Sequence, residues 1–173
     1  MKIRIAGIER NSIVDGEGLR YVVFTQGCKH KCKGCHNPET WDFDGGKEID
    51  TEELLDEIKK DPLLDGVTLS GGDPLFQADR LIEFAKQIKE YGLNIWIYTG
   101  FIFDNFIKYR NNEITDDRIN MDMIKLLEIA DVVVDGPFII SKRTLNLKFR
   151  GSSNQRIIDT KKSFENNKII EWR

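Results

Sequence analysis

Cysteine, proline and histidine are all scarce in this chain: three, four and two residues among 173. Three cysteines cannot pair off into a disulfide framework, and all of them lie between Cys28 and Cys35. With 4 Pro and 14 Gly, the composition excludes a collagen-like or Pro/Gly-rich disordered chain. No apolar run approaches the roughly 18 residues a membrane span needs. The opening residues, Met1-Lys2-Ile3-Arg4-Ile5, put charge where a secretory signal carries its apolar segment. Neither sign of charge dominates: 26 Lys and Arg against 29 Asp and Glu leave −3, which argues against general nucleic-acid binding. What remains is an ordinary globular composition, 40% hydrophobic and 32% charged. A chain of this length buries about 70% of its unfolded surface in one domain. We expect a single soluble, cytosolic domain over residues 1–173. The polar stretch from about residue 157 is expected to be a weakly packed, mobile tail.

Hydrophobic periodicity alternates between strand and helix. Residues 2–8 and Arg20–Thr25 are β-rich, and Tyr21-Val22-Val23-Phe24 reads as a strand buried on both faces. Gln26–Lys47 is a long loop. Asp50 or Thr51 caps a helix reaching Lys60, and Asp61-Pro62 ends it. Gly66–Ser70 is a strand, Gln77–Tyr91 an amphipathic helix closed by Gly92, and Leu93–Tyr98 a strand. Phe103–Tyr109 and Met121–Ala130 are helical, and Asp131–Val134 is a strand. Such alternation implies βαβ crossovers and a parallel α/β sheet. The strands are too few for an eightfold barrel, so a partial (β/α) barrel or an open sheet is expected. The distinctive turns, 26–36, 70–74, 98–100 and 135–137, all follow strands, where α/β proteins build their sites.

Cys28, Cys32 and Cys35 have the spacing C-x3-C-x2-C, so their thiolates can converge on one metal centre. A structural zinc wants four ligands. The fourth position is therefore His30, His36 or open. A [4Fe–4S] cluster with three protein thiolates leaves one iron free for another ligand. Lys29, Lys31 and Lys33 would offset the charge of such a cluster and favour the thiolate form.

The three cysteines resemble the cluster signature of the radical S-adenosylmethionine enzymes. Their flanks, Ser12-Ile13-Val14-Asp15-Gly16-Glu17-Gly18-Leu19-Arg20, Val23-Phe24-Thr25-Gln26-Gly27 and His36-Asn37-Pro38-Glu39-Thr40-Trp41, resemble the glycyl-radical-enzyme activases. Gly34 before the third cysteine, Ser70-Gly71-Gly72-Asp73-Pro74 and Arg150-Gly151-Ser152-Ser153-Asn154-Gln155-Arg156 are similar to the activases of anaerobic ribonucleotide reductase. The resemblance implies a partial barrel in which Cys28, Cys32 and Cys35 hold a [4Fe–4S] cluster. It places Gly34, Cys35, His36, Gly71, Gly72, Asp73, Tyr98 and Thr99 around S-adenosylmethionine, with Asp73 taking the ammonium group. Here the superfamily's Gly-Gly-Glu turn carries Asp73. The basic stretch Ser141–Arg150 is a solvated face, a carboxylate site or a docking surface.

The resemblance further implies an activity. A flavodoxin-like or ferredoxin-like donor reduces the cluster, S-adenosylmethionine is cleaved to methionine and a 5′-deoxyadenosyl radical, and that radical takes hydrogen from a glycine of the reductase. A homodimer or an assembly with the reductase is expected, and neither nucleic acid nor membrane is. The alternatives are an activator of another glycyl-radical enzyme such as pyruvate formate-lyase, an iron–sulfur electron carrier, and a zinc-stabilised module.

Overall fold

A computed structural model describes residues 1–173. In chain order the elements are β1 (Lys2–Ser12), β2 (Arg20–Thr25), β3 (Lys47–Asp50), α1 (Thr51–Lys59), β4 (Gly66–Gly71), α2 (Ala78–Glu90), β5 (Asn94–Tyr98), α3 (Phe103–Arg110), α4 (Met121–Ile129), β6 (Val132–Asp135), β7 (Arg156–Asp159) and α5 (Thr160–Asn166). They build one seven-stranded sheet in the order β3-β1-β2-β4-β5-β6-β7.

The four central strands, β2, β4, β5 and β6, run parallel, joined through helical crossovers. The outer strands are antiparallel: β1 against β2 and β3, and β7 against β6. All five helices send their apolar stripes into one core. Leu54 and Ile58 of α1, Leu81 and Phe84 of α2, Phe106 of α3, Ile124 and Leu127 of α4 and Phe164 of α5 share it with Val67, Leu69, Ile95 and Ile97 of the sheet. Helices on a single face make this a partial (β/α) barrel with a parallel centre.

Local chemistry sets the boundaries. The Asp50 carboxylate accepts from Glu52 N and caps α1, as its sequence implies. Asn120 does the same for α4 through Met123 N. Gly92 takes φ of +93° after α2, a conformation that favours glycine. No helix is long and apolar enough to cross a membrane.

Two stretches depart from expectation. Lys47–Asp50, the end of the supposed long loop and the residues after it, form the edge strand β3 against Lys2–Ile5. Residues 157–173 are packed rather than a free tail. β7 covers the open edge of β6, α5 inserts Phe164, and Trp172 stacks edge-on against Trp96 at 5.1 Å. The tail has few apolar residues, but nearly every one is an anchor, and the exposed edge of β6 supplies their partner.

Candidate cluster and cofactor cavity

The C-terminal ends of the parallel strands open into a cavity of ≈ 820 Å³, within the roughly 300–1,000 Å³ range of small-molecule sites. Cys28, Cys32 and Cys35 line it from the loop after β2, and Ser70, Gly71 and Gly72 line it from the end of β4. Tyr98, Thr99 and Gly100 contribute from β5, and residues 143–151 close the far side. Gly34 is absent from the wall, while His36 is on it.

The cysteine loop is held by its own base. Gly27 N donates to Thr40 O at 2.7 Å and Cys28 N to Trp41 O at 3.2 Å. The buried Gln26 amide donates to Glu39 O and Asp42 O at 2.8 and 2.7 Å. Gln26 therefore ties both ends of the loop, a role its sequence context did not reveal. A Cβ on Gly34 would come within 2.5 Å of the Ile140 side chain, and φ there is +78°. The positive φ explains glycine at this position, and the Ile140 side chain packs against the side a Cβ would occupy.

The Gly-Gly turn packs against this loop. Gly72 N donates to Thr25 O at 2.8 Å and Asp73 N to Gly27 O at 3.0 Å. A Cβ on Gly71 would meet Thr25 N at 2.4 Å, and one on Gly72 would meet Gly27 O at 2.4 Å. The two glycines thus let two backbones touch while also facing the cavity.

Asp73 departs from its expected place. Its side chain has no exposed surface and does not line the cavity. Oδ1 accepts from Leu75 N at 3.0 Å. Oδ2 accepts from His30 Nε2 at 2.7 Å, Thr99 Oγ1 at 2.8 Å and Gly100 N at 2.9 Å. His30 is thereby committed to Asp73 through Nε2, and His36 lies against the Phe138 ring at 5.0 Å.

In the metal-free chain the lysines do not offset the burial of the thiols. Burial pushes the Cys28 thiol up to about 11 and also raises Cys32, so desolvation outweighs any help from nearby cations. Lys29 Nζ sits 5.9 and 5.8 Å from the Phe43 and Phe76 ring centroids, occupied with aromatic faces.

The two arginines of the 150–156 segment separate. Arg156 is structural: it bonds Asp135 through Nε at 3.0 Å and Nη2 at 2.6 Å, and Asp104 at 2.6 Å. Arg150 lines the cavity, and its buried Nε has no partner. Gln155 folds the segment, accepting from Gly151 N and Ser152 N and donating to Gly136 O.

Arg20 is a further residue that sequence reasoning did not assign. It is fully buried on the cavity side of the sheet. It donates to Thr68 Oγ1 at 2.7 Å, and Thr68 Oγ1 donates to Asp15 O at 2.7 Å. This relay holds the β1–β2 loop, which brings Asp15 to the cavity wall.

No three His, Cys, Asp or Glu side chains gather closely enough for a single metal ion. The three thiols instead share the wall of one large cavity, and the chain has no fourth cysteine. That donor set fits a cysteine-bound iron–sulfur cluster with one iron left open.

These features define an iron–sulfur protein, and the chain belongs to the 4Fe-4S single cluster domain family, which matches residues 14–158. Among its relatives, the anaerobic ribonucleoside-triphosphate reductase-activating protein of Haemophilus influenzae is 33% identical over 153 residues, 84% of this chain and 90% of that protein. The pyruvate formate-lyase-activating enzyme of Clostridium pasteurianum is 46% identical over 109 residues, 60% of this chain. The chain spans 46% of that enzyme's length. The solved structure of QueE from Escherichia coli aligns with 58% of this chain and 53% of its own, at 18% identity and a TM-score of 0.49.

Proposed function

We propose that this chain activates an anaerobic ribonucleotide reductase by installing a glycyl radical on it. The observation that carries this reading is one cavity walled by three thiols, a Gly-Gly backbone and a strand-end aromatic. Cys28, Cys32 and Cys35 hold a [4Fe–4S] cluster. When bound and reduced, the cluster supplies the electron that cleaves S-adenosylmethionine to methionine and a 5′-deoxyadenosyl radical.

The chain's own residues bind, orient and shield. Cys35, His36, Gly71, Gly72, Tyr98 and Thr99 surround the cofactor, and Gly34 gives the cysteine loop its turn. The Arg150 guanidinium donates through Nη1 to Gln155 O at 3.4 Å and leaves its buried Nε without an acceptor; a buried donor in that state is costly, and the cofactor's carboxylate would satisfy it. Holding the sulfonium beside the cluster removes the entropic cost of bringing donor and acceptor together. The 143–151 segment, Phe149 included, lines the far side of the cavity. The partners are the glycyl-radical subunit of the reductase and a flavodoxin-like or ferredoxin-like donor of one electron.

A second reading, activation of pyruvate formate-lyase, is favoured by the 46% identity over 109 residues. The reductase reading accounts for the relative's length: its alignment runs over 90% of that protein, against 46% of the lyase activase. The test is anaerobic reconstitution with iron and sulfide, reduction, and EPR with and without S-adenosylmethionine. A [4Fe–4S]⁺ signal that shifts with the cofactor is expected. Replacing Cys28, Cys32 or Cys35 by Ala should abolish it. Mixing with each candidate partner then decides between the readings by which polypeptide gains a glycyl radical. A colourless protein, or a cluster indifferent to the cofactor, would overturn both.

A further inference from the structure

We infer that Asp73 is a positioning residue that locks the cysteine loop to the Thr99-Gly100 turn through His30, and not a direct ligand of the cofactor's ammonium group. The inference rests on the preceding reading of the cavity but makes its own claim about the residues around it.

A carboxylate offers about four acceptor sites. Asp73 uses four, on Leu75 N, His30 Nε2, Thr99 Oγ1 and Gly100 N. Oδ2 takes three of these donors and Oδ1 one, so an ammonium group would have to reach the remaining side of Oδ1, and the side chain has no surface through which to approach it. The donors come from three separate parts of the chain: the loop between the first two cysteines, the turn after β4 and the turn after β5. One carboxylate therefore fixes the relative positions of cluster loop, Gly-Gly backbone and nucleoside-side turn.

The imidazole is built into the same joint. It stands edge-on to Phe101 at 4.7 Å and tilted against Phe76 at 5.5 Å. A Cβ on Gly100 would meet the His30 ring at 2.6 Å, so the ring lies directly over that turn. A glutamate at position 73, one methylene longer, would have to fold back to reach the same three donors on Oδ2. The short acid and the histidine therefore form a matched pair.

The test uses the full chain in two states, comparing wild type with D73A, H30A, H30Q and the D73A/H30A double variant. In the metal-free protein, amide hydrogen exchange at Gly100 reports the joint directly. In the reconstituted protein, retained iron after a chelator challenge and cofactor affinity by EPR titration report its consequence. Exchange at Gly100 should rise on the order of tenfold or more in both D73A and H30A, reflecting a lost charge-assisted bond or its cover. Both should retain less iron, H30Q should recover part of the loss through its amide donor, and the double variant should be no worse than D73A. A direct ligand predicts otherwise: D73A would lose cofactor affinity alone, with wild-type iron retention, and H30A would match wild type throughout. That result would overturn the inference. Should D73A fail to fold, wild-type behaviour of H30A would overturn it equally. If the wild-type chain takes up no cluster, the functional reading fails, while exchange at Gly100 still decides the joint.

Discussion

On the face covered by α1–α5, the central strands present Tyr21, Val23, Val67, Leu69, Ile95, Ile97 and Val133, all within a core of 31 buried residues. On the opposite face the same strands present Arg20, Val22, Phe24, Thr68, Ser70, Trp96 and Tyr98, and Trp96 joins Val132 and Val134 in a small second cluster. The first face is held by apolar burial, which tolerates no polar group without a partner. The second is held by hydrogen bonds from side chains to loop backbone: Arg20 to Glu17 O, Thr68 to Asp15 O, Tyr98 to Phe149 O. Concentrating apolar burial on one face leaves the other free to position loops, and that is where the cavity lies.

The sharpest way to test this division is to cut into each face in turn. Leu69 is fully buried on the helical side, so Leu69→Ala should cost about 3–4 kcal/mol, from lost transfer energy plus a cavity. Urea denaturation of the metal-free chain measures it. A loss under about 1 kcal/mol would mean that the core is looser than its burial implies.

Arg20 probes the other face. Its guanidinium makes no ion pair; it donates to Thr68 Oγ1 and to the carbonyls of Glu17 and Val67, and lies 5.5 Å from the Trp96 ring centroid. Burial lowers its pKa to about 10, which leaves it charged at neutral pH. Arg20→Met keeps most of the volume but strands these acceptors, so a loss of about 2–3 kcal/mol is expected. Faster proteolysis within Ile13–Leu19 should accompany it, because the Thr68–Asp15 link loses its support. A neutral Arg20→Met would show that this face, too, is held by packing alone.

The thiols give a pH-dependent version of the contrast. Burial raises the Cys28 pKa to about 11, above the unfolded value near 8.5, so the folded metal-free chain binds the proton more tightly. The corresponding stability is fully present below about pH 8.5 and is lost as pH rises through about 11. Cys32 is shifted in the same direction. Denaturation at pH 8 and pH 10.5 should differ by about 1–2 kcal/mol, and Cys28→Ser should remove much of the slope. Because cluster binding requires the thiolate, iron uptake should quicken over the same interval.

The helical face was legible in the sequence because its signal is periodic. Leu54, Leu55 and Ile58, or Leu81, Phe84, Ala85 and Ile88, announce a buried stripe at 3.6-residue spacing. The cysteine spacing was equally plain, since no ordinary structural need places three thiols so closely. Three features were hidden for physical reasons. The β3 strand Lys47–Asp50 is short and polar, and only its pairing with β1 makes it a strand. The C-terminal β7 and α5 owe their order to an edge and a core that other segments supply. The Asp73–His30 bond joins residues 43 apart, and its effect is to turn a supposed ligand away from the cavity. Motif resemblance named the residues around the cavity, but the direction of the Asp73 side chain depends on His30, Thr99 and Gly100, which the motif itself does not contain.

Tyr98 lies on the boundary between the two modes, and its expected effect on stability is the smallest. Its ring lines the cavity beside the Trp96 cluster, while its hydroxyl donates to Phe149 O at 2.8 Å. Burial raises its pKa well beyond the usual phenol range, so it stays a neutral donor at any working pH. Tyr98→Phe keeps the ring and removes one neutral hydrogen bond, which costs only about 1 kcal/mol. The bond nevertheless spans 51 residues and is a direct tie from a parallel strand to the 143–151 segment. Removing it should leave the sheet intact while raising hydrogen exchange across residues 143–151. Affinity for S-adenosylmethionine should fall several-fold at unchanged iron content. If Tyr98→Phe loses stability as Arg20→Met does, the hydroxyl is part of the frame. If exchange rises only in residues 143–151, the cavity face is assembled from separable loop anchors, each weak alone, on a frame made rigid from behind.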